Sequence, residues 1–388
     1  MYDIPELPSS VSEWEKAAGS EGLVGVGIND EHFVKARRLS YRQFLPLRII
    51  WKDISAASFD PKIFDLDEWM GRAADVLKDY QSWHAYNRSF YGRPAEGNFA
   101  LASIFQAQAR RIRSENFGDK VVFRNGSAPS SSGDSSLSND IPQHELEEWV
   151  QDDDKDSTSD MNTNITPWNR RYLESEFEPT IKNALVLFLT ALTMSVPDLG
   201  VEWVMSGKTL VAKFEPGVAQ YKVHVDAFMK GKNYGGPRVL VDVREPARLQ
   251  ARPEIRIQES AQMVAWLMTS PDRSHPRIII SQDEDEIFLI FAEYSEPYMS
   301  YLDSAGGVNG DSSDPESFLT MYEVGPFNTN YQSAMSKVGT IILALVLRDA
   351  QYTHMGRNMD GRIFPQGPIL FGDLTEADMY GPYQTVNT

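Results

Sequence analysis

The sequence predicts a mixed α/β (α+β) protein with a mixed sheet flanked by helices. Three observations carry this expectation. Residues 219–244 hold two β-type runs, AQYKVHVDAFM and RVLVDVR, in which valines alternate with charged side chains. An apolar helical run, 176–196, precedes them, and an amphipathic one, IRIQESAQMVAW, follows. RIIIS and EIFLIFA then read as a strand pair around an acidic turn. Alternation marks strands, and recurrence every three to four residues marks helices.

Taken in order, residues 1–124 read as a mixed and helical N-terminal region. SYRQFLPLRIIWKDIS has no clear period. Residues 66–90 place Trp69, Met70, Ala73, Leu77, Tyr80 and Trp83 at helical spacing, with Asp65 or Asp67 available as a cap. Residues 99–113 read as a second helix ending in ARRIR. Its arginines complement a helix C-terminus or, alternatively, contact nucleic acid. Residues 125–164 are rich in Ser, Asp and Asn and lack the apolar side chains that would offset ordering, so they read as a disordered acidic linker. Within it HELEEWV can form a helical turn. A partner-docking motif or an acidic mimic of nucleic acid stands beside the simpler reading of a solvated linker.

Beyond the linker, 176–196 is a helix with Pro179 in its first turn, apolar enough to be buried. Residues 201–205 and 209–214 read as a hairpin. Residues 220–229 and 238–244 are the next strands, and 254–268 is a helix. Residues 277–281 and 286–292 are strands, 294–302 a short helix, 304–315 a loop and 330–350 a long helix. The Pro- and Tyr-containing stretch 357–388 reads as an extended tail.

The chain has 388 residues, 41% hydrophobic content and 11% aromatics, enough for a sizeable core. Without cysteine it has no disulfides, zinc–thiolate sites or cysteine nucleophiles. The formal net charge is −18. Residues 130–160 hold 10 acids against one lysine, so half the surplus lies in one short segment. That total does not favour nucleic acid, although a local basic groove outweighs the sum. The polar, acidic start lacks a secretory signal, and no apolar run approaches a membrane span. The expectation is an intracellular protein of nucleus or cytoplasm, neither secreted nor membrane-bound.

Side chains two apart on a strand share a face. On that rule Lys222, His224 and Asp226 lie opposite Val223 and Val225, and Asp242 and Arg244 lie opposite Val241 and Val243. If the strands are neighbours, His224, Asp226, Asp242 and Arg244 form one polar cluster. Its plain alternative is a structural ion pair, with His224 a satisfied strand residue. The six histidines show no metal-ligand spacing, and no phosphate-binding glycine motif or GxSxG elbow occurs.

This order of elements, with Asp226 in HVDAF and Asp242-Val243-Arg244 after it, resembles the PD-(D/E)XK nuclease superfamily. IQESAQMVAWL and RIIISQDEDEIFLIFAEYSEPYMSYL are also similar to proteins of filamentous fungi that carry this nuclease-like domain. The likeness covers roughly 174–292, within a domain expected over 165–356. It implies a restriction-endonuclease-like α-β-β-β-α-β core and metal-dependent hydrolysis of DNA or RNA. It implies Asp226, Asp242 and Glu178 (or Glu174 or Glu176) as ligands of Mg²⁺ or Mn²⁺, with Gln258 or Gln262 contributed by the following helix. Arg244 stands where the family has lysine. Arginine stays charged and cannot act as a base, though it can hold a phosphate bidentately. The alternative is therefore a catalytically degenerate module of the same fold that binds protein partners through its acidic linker and tail.

Overall fold

The computed structural model describes residues 4–28, 39–118, 177–197, 199–214, 220–232, 236–270, 276–303 and 314–355. Residues 1–113 with 176–388 form one compact unit and 114–175 a second. The expected linker (125–164) and tail (357–388) lie outside the described residues, as do Glu174, Glu176 and most of the 304–315 loop.

Helices α1 (Val11–Ser20) and α2 (Tyr41–Phe44) lead into strand β1 (Ile49–Ser55). Next come α3 (Asp67–Asp79), α4 (Gln81–Ser89), α5 (Ala100–Gly118) and α6 (Glu178–Thr193). Strands β2 (Val201–Val204), β3 (Lys208–Lys213), β4 (Gln220–Val225), β5 (Ala227–Gly231) and β6 (Pro237–Arg244) follow. Then come α7 (Arg248–Thr269), β7 (Arg277–Asp283), β8 (Glu286–Glu293), α8 (Glu296–Asp303), β9 (Leu319–Asn328) and α9 (Gln332–Met355). No helix among the described residues is long and apolar enough to cross a membrane.

Seven strands make one mixed sheet in the order β1-β9-β8-β7-β6-β5-β2. The β2–β5 and β5–β6 pairs are antiparallel and β6–β7 is parallel. Parallel neighbours need a long crossover, which α7 supplies. Period-two alternation sends the two sides of each strand into separate cores. One core joins Val241, Val243, Ile278, Ile280 and Leu289 to side chains of α3 to α6 and α9. The other joins Leu240, Ile279, Phe288 and Ile290 to α1, α2, α7, α8 and the β3–β4 pair.

Several expectations change. Residues 201–214 are not a hairpin: β2 lies at the edge of the main sheet, and β3 pairs with β4 in a separate two-stranded sheet. That pair seals α7, with Leu210, Ala212, Tyr221 and Val223 buried and the Tyr221 hydroxyl donating to the Ala261 carbonyl at 3.0 Å. Residues 220–229 are not one strand either. The chain bends at Asp226, leaving β4 in one sheet and entering β5 in the other. The expected helix over 66–90 breaks at Tyr80, whose backbone turns extended while its hydroxyl donates to the Ala191 carbonyl at 2.8 Å. Helix α7 begins earlier than expected, with a non-helical Ala251 two residues before Pro253. The N-terminal region supplies β1, which pairs in parallel with β9 and so belongs to the same sheet.

Candidate functional site

Strand β6 delivers Asp242 and Arg244 to the α7 side of the sheet, while Val241 and Val243 enter the opposite core. Asp226 reaches them from the corner between β4 and β5. Its N–H donates to the Val241 carbonyl at 3.0 Å, and its Oδ2 accepts from the Val243 N–H at 2.8 Å. One carboxylate oxygen thus fastens the bend to β6.

Asp242 is 1% exposed. Its Oδ1 accepts a 2.6 Å hydrogen bond from Gln262 Nε2, which also donates to the His224 carbonyl at 2.8 Å. Its Oδ2 lies 2.7 Å from Arg244 Nη2 as an ion pair but receives no well-directed hydrogen bond. Burial pushes the Asp242 carboxyl well above the usual range; Arg244 pulls it down, and Asp226 and Glu259 push it further up. Arg244 Nη1 donates to the Val243 carbonyl at 3.1 Å and lies 3.9 Å from Glu178 Oε1 in the first turn of α6. Burial works against the Arg244 charge, but Asp242, Asp226, Glu178 and Asp283 outweigh it and hold the guanidinium protonated.

The structure therefore gathers Asp226, Asp242, Arg244 and Glu178. Gln258 is not among the donors to Asp242. That role falls to Gln262, one helical turn further along α7. The His224 ring does not join the cluster: its residue is exposed on the outer side of β4, and its backbone carbonyl makes the connection.

Whether these residues suit a divalent metal is decided by Arg244. Its guanidinium stands against the Asp242 oxygen that accepts no hydrogen bond, and beside Glu178. Among the described residues no three His, Asp or Glu side chains are arranged to hold a metal ion. As arranged, the set does not fit Mg²⁺ or Mn²⁺; the cation among the carboxylates is guanidinium.

A larger charged cluster adjoins this one and went unforeseen. Arg248 is buried, with Nε 2.6 Å from Asp283 Oδ2, Nη1 2.6 Å from Glu323 Oε2, and both terminal nitrogens on Glu259. Arg256 Nε donates to Glu323 at 2.9 Å and its Nη2 pairs with Asp53; Arg252 bridges the same two acids. The guanidinium of Arg248 also lies 4.3 Å from the Phe288 ring centre, and that of Arg256 4.8 Å from Trp51. Local sequence held one clue, the spacing of four that puts Arg248, Arg252 and Arg256 on one side of a helix. Apart from Glu259 of α7 itself, their partners come from β1, β7 and β9, which no local pattern reveals. Comparison of the chain with protein-family models, curated proteins and solved structures finds no match.

Proposed function

We propose that the chain carries a PD-(D/E)XK nuclease-like module whose centre is closed by Arg244, and that it works as a non-cleaving interaction module with a protein partner. The observation that carries this reading is the 2.7 Å pair of Arg244 with buried Asp242, flanked by Glu178. An arginine in that place cannot release a proton to generate a nucleophile, and a phosphate would compete with carboxylates for it. The succession α6, β2, β5, β6, α7, β7 supports the restriction-endonuclease-like core, with β3 and β4 inserted as an extra pair. Asp226, just before β5, and Asp242-x-Arg244 on β6 are further support for it. The net charge of −18 favours a protein surface over a polyphosphate one.

A second reading, metal-dependent hydrolysis of DNA or RNA, rests on the nearness of Asp226, Asp242 and Glu178 to one guanidinium, which a metal would have to displace. Incubation of the full chain with single- and double-stranded DNA and RNA, in Mg²⁺ or Mn²⁺, separates the two. Intact substrates are expected. Metal-dependent cleavage that Asp242→Ala abolishes would establish the second reading instead.

A further inference from the structure

The Arg248 cluster is unbalanced. Its fully enclosed members are two guanidiniums, Arg248 and Arg256, against three carboxylates, Glu259, Asp283 and Glu323. Arg252 and the half-exposed Asp53 add one charge of each sign at its outer end. A surplus buried charge is costly unless a proton removes it. The geometry singles out one acid. Both Glu259 oxygens are taken by Arg248, and both Glu323 oxygens by arginines. Asp283 has Oδ2 on Arg248 Nε, but its buried Oδ1 accepts no hydrogen bond. As an anion that oxygen would be unsolvated; as a hydroxyl it is neutral.

We propose that this network is a pH-responsive element: it folds with one proton bound, held chiefly by Asp283, and its hold on α7 weakens when that proton leaves. Around Asp283 stand Arg248 and Glu259 from α7, Arg244 and Asp242 from β6, and Glu323 of β9 beyond Arg248. Glu284, Asp285 and Glu286 complete its own turn into β8. Burial pushes the Asp283 carboxyl up to about 7; Arg248 pulls against burial and Glu259 adds to it. The folded state thus binds this proton more tightly than the unfolded chain does. The stability it contributes is complete below the ordinary carboxylate range, near pH ~4, and is lost as pH rises to about 7. Asp283 is the register partner of Arg244, so the element also borders the candidate site.

Urea unfolding of the full chain at pH 5, 6, 7 and 8 tests this on wild type, Asp283→Asn and Glu259→Gln. For wild type the folding equilibrium constant should fall, relative to Asp283→Asn, by up to about tenfold per pH unit until the curve flattens near neutrality. Glu259→Gln removes an anion that raises Asp283 and should move the falling limb to lower pH. Parallel profiles for wild type and Asp283→Asn would overturn the proposal. If Asp283→Asn fails to fold, Glu259→Gln decides, and an unmoved limb overturns it.

Discussion

The two faces of the seven-stranded sheet use the same strands to opposite ends. On one face, Val241, Val243, Ile278, Ile280 and Val324 meet α3 to α6 and α9 in an interior of aliphatic chains and rings. Trp83, Tyr86, Phe99 and Phe188 pack there, with centroids 4.9 Å apart for Tyr86–Phe99 and 5.4 Å for Trp83–Phe99. On the other face, residues an odd number of positions away in those same strands are Asp242, Arg244, Ser281, Asp283 and Glu323, set against the arginines of α7. Dispersion and exclusion of water stabilise the first face wherever volume is filled. The second holds an apolar core of its own around Leu240, Ile279, Phe288 and Ile290, but its charged seam depends on every charge keeping its partner, because an orphaned buried ion costs more than the pair contributes.

The sharpest way to break this contrast is Arg248→Met. It leaves Glu259, Asp283 and Glu323 without their shared cation, and a loss of about 3–5 kcal/mol is expected in urea unfolding at neutral pH. A loss under ~1 kcal/mol would mean the network is ornamental. On the apolar face Leu189→Ala removes a fully buried side chain from α6 and should cost about 3 kcal/mol, equally at every pH. A pH-dependent cost there would blur the distinction.

Glu323 supplies an acid-side test of up to about 3 kcal/mol. Burial raises its carboxyl, but Arg248, Arg256 and Arg252 prevail and hold it near 2. Its stabilisation is present above the ordinary glutamate range and drains away as pH falls from about 4.5 toward 2. Glu323→Gln should remove that limb of the acid unfolding curve. Smaller still, Gln262→Ala strips Asp242 Oδ1 of its donor and should cost about 1–3 kcal/mol. Gln258→Ala, one turn away, should stay within about 0.5 kcal/mol. Equal effects would erase the difference drawn between the two glutamines.

How far the sequence reveals this arrangement depends on how local each cause is. Asp242 and Arg244 share a face through period two alone, and α6 is legible because its apolar run is long. The break at Asp226 is invisible because Val223, Val225, Ala227 and Met229 continue one alternation across it, although the chain changes sheets. Strand β9 hides behind Gly325 and Pro326, residue types that ordinarily end a strand. Gly325 is required there: its φ is 156°, and a Cβ would lie 2.7 Å from the Phe288 ring. The Arg248 cluster is the least legible part, since its members meet only after four separate elements have packed.

Parallel pairing of β1 with β9 also governs how the protein is made. Ile49 meets Leu319 across about 270 residues of chain, a very non-local contact for an edge strand. During translation β1 must wait for about 270 further residues before its partner leaves the ribosome. Its apolar half, Ile49 to Trp51, is then a strand edge exposed to other nascent chains. Nascent chains stalled before β9 is released should therefore be the species that engage chaperones most strongly.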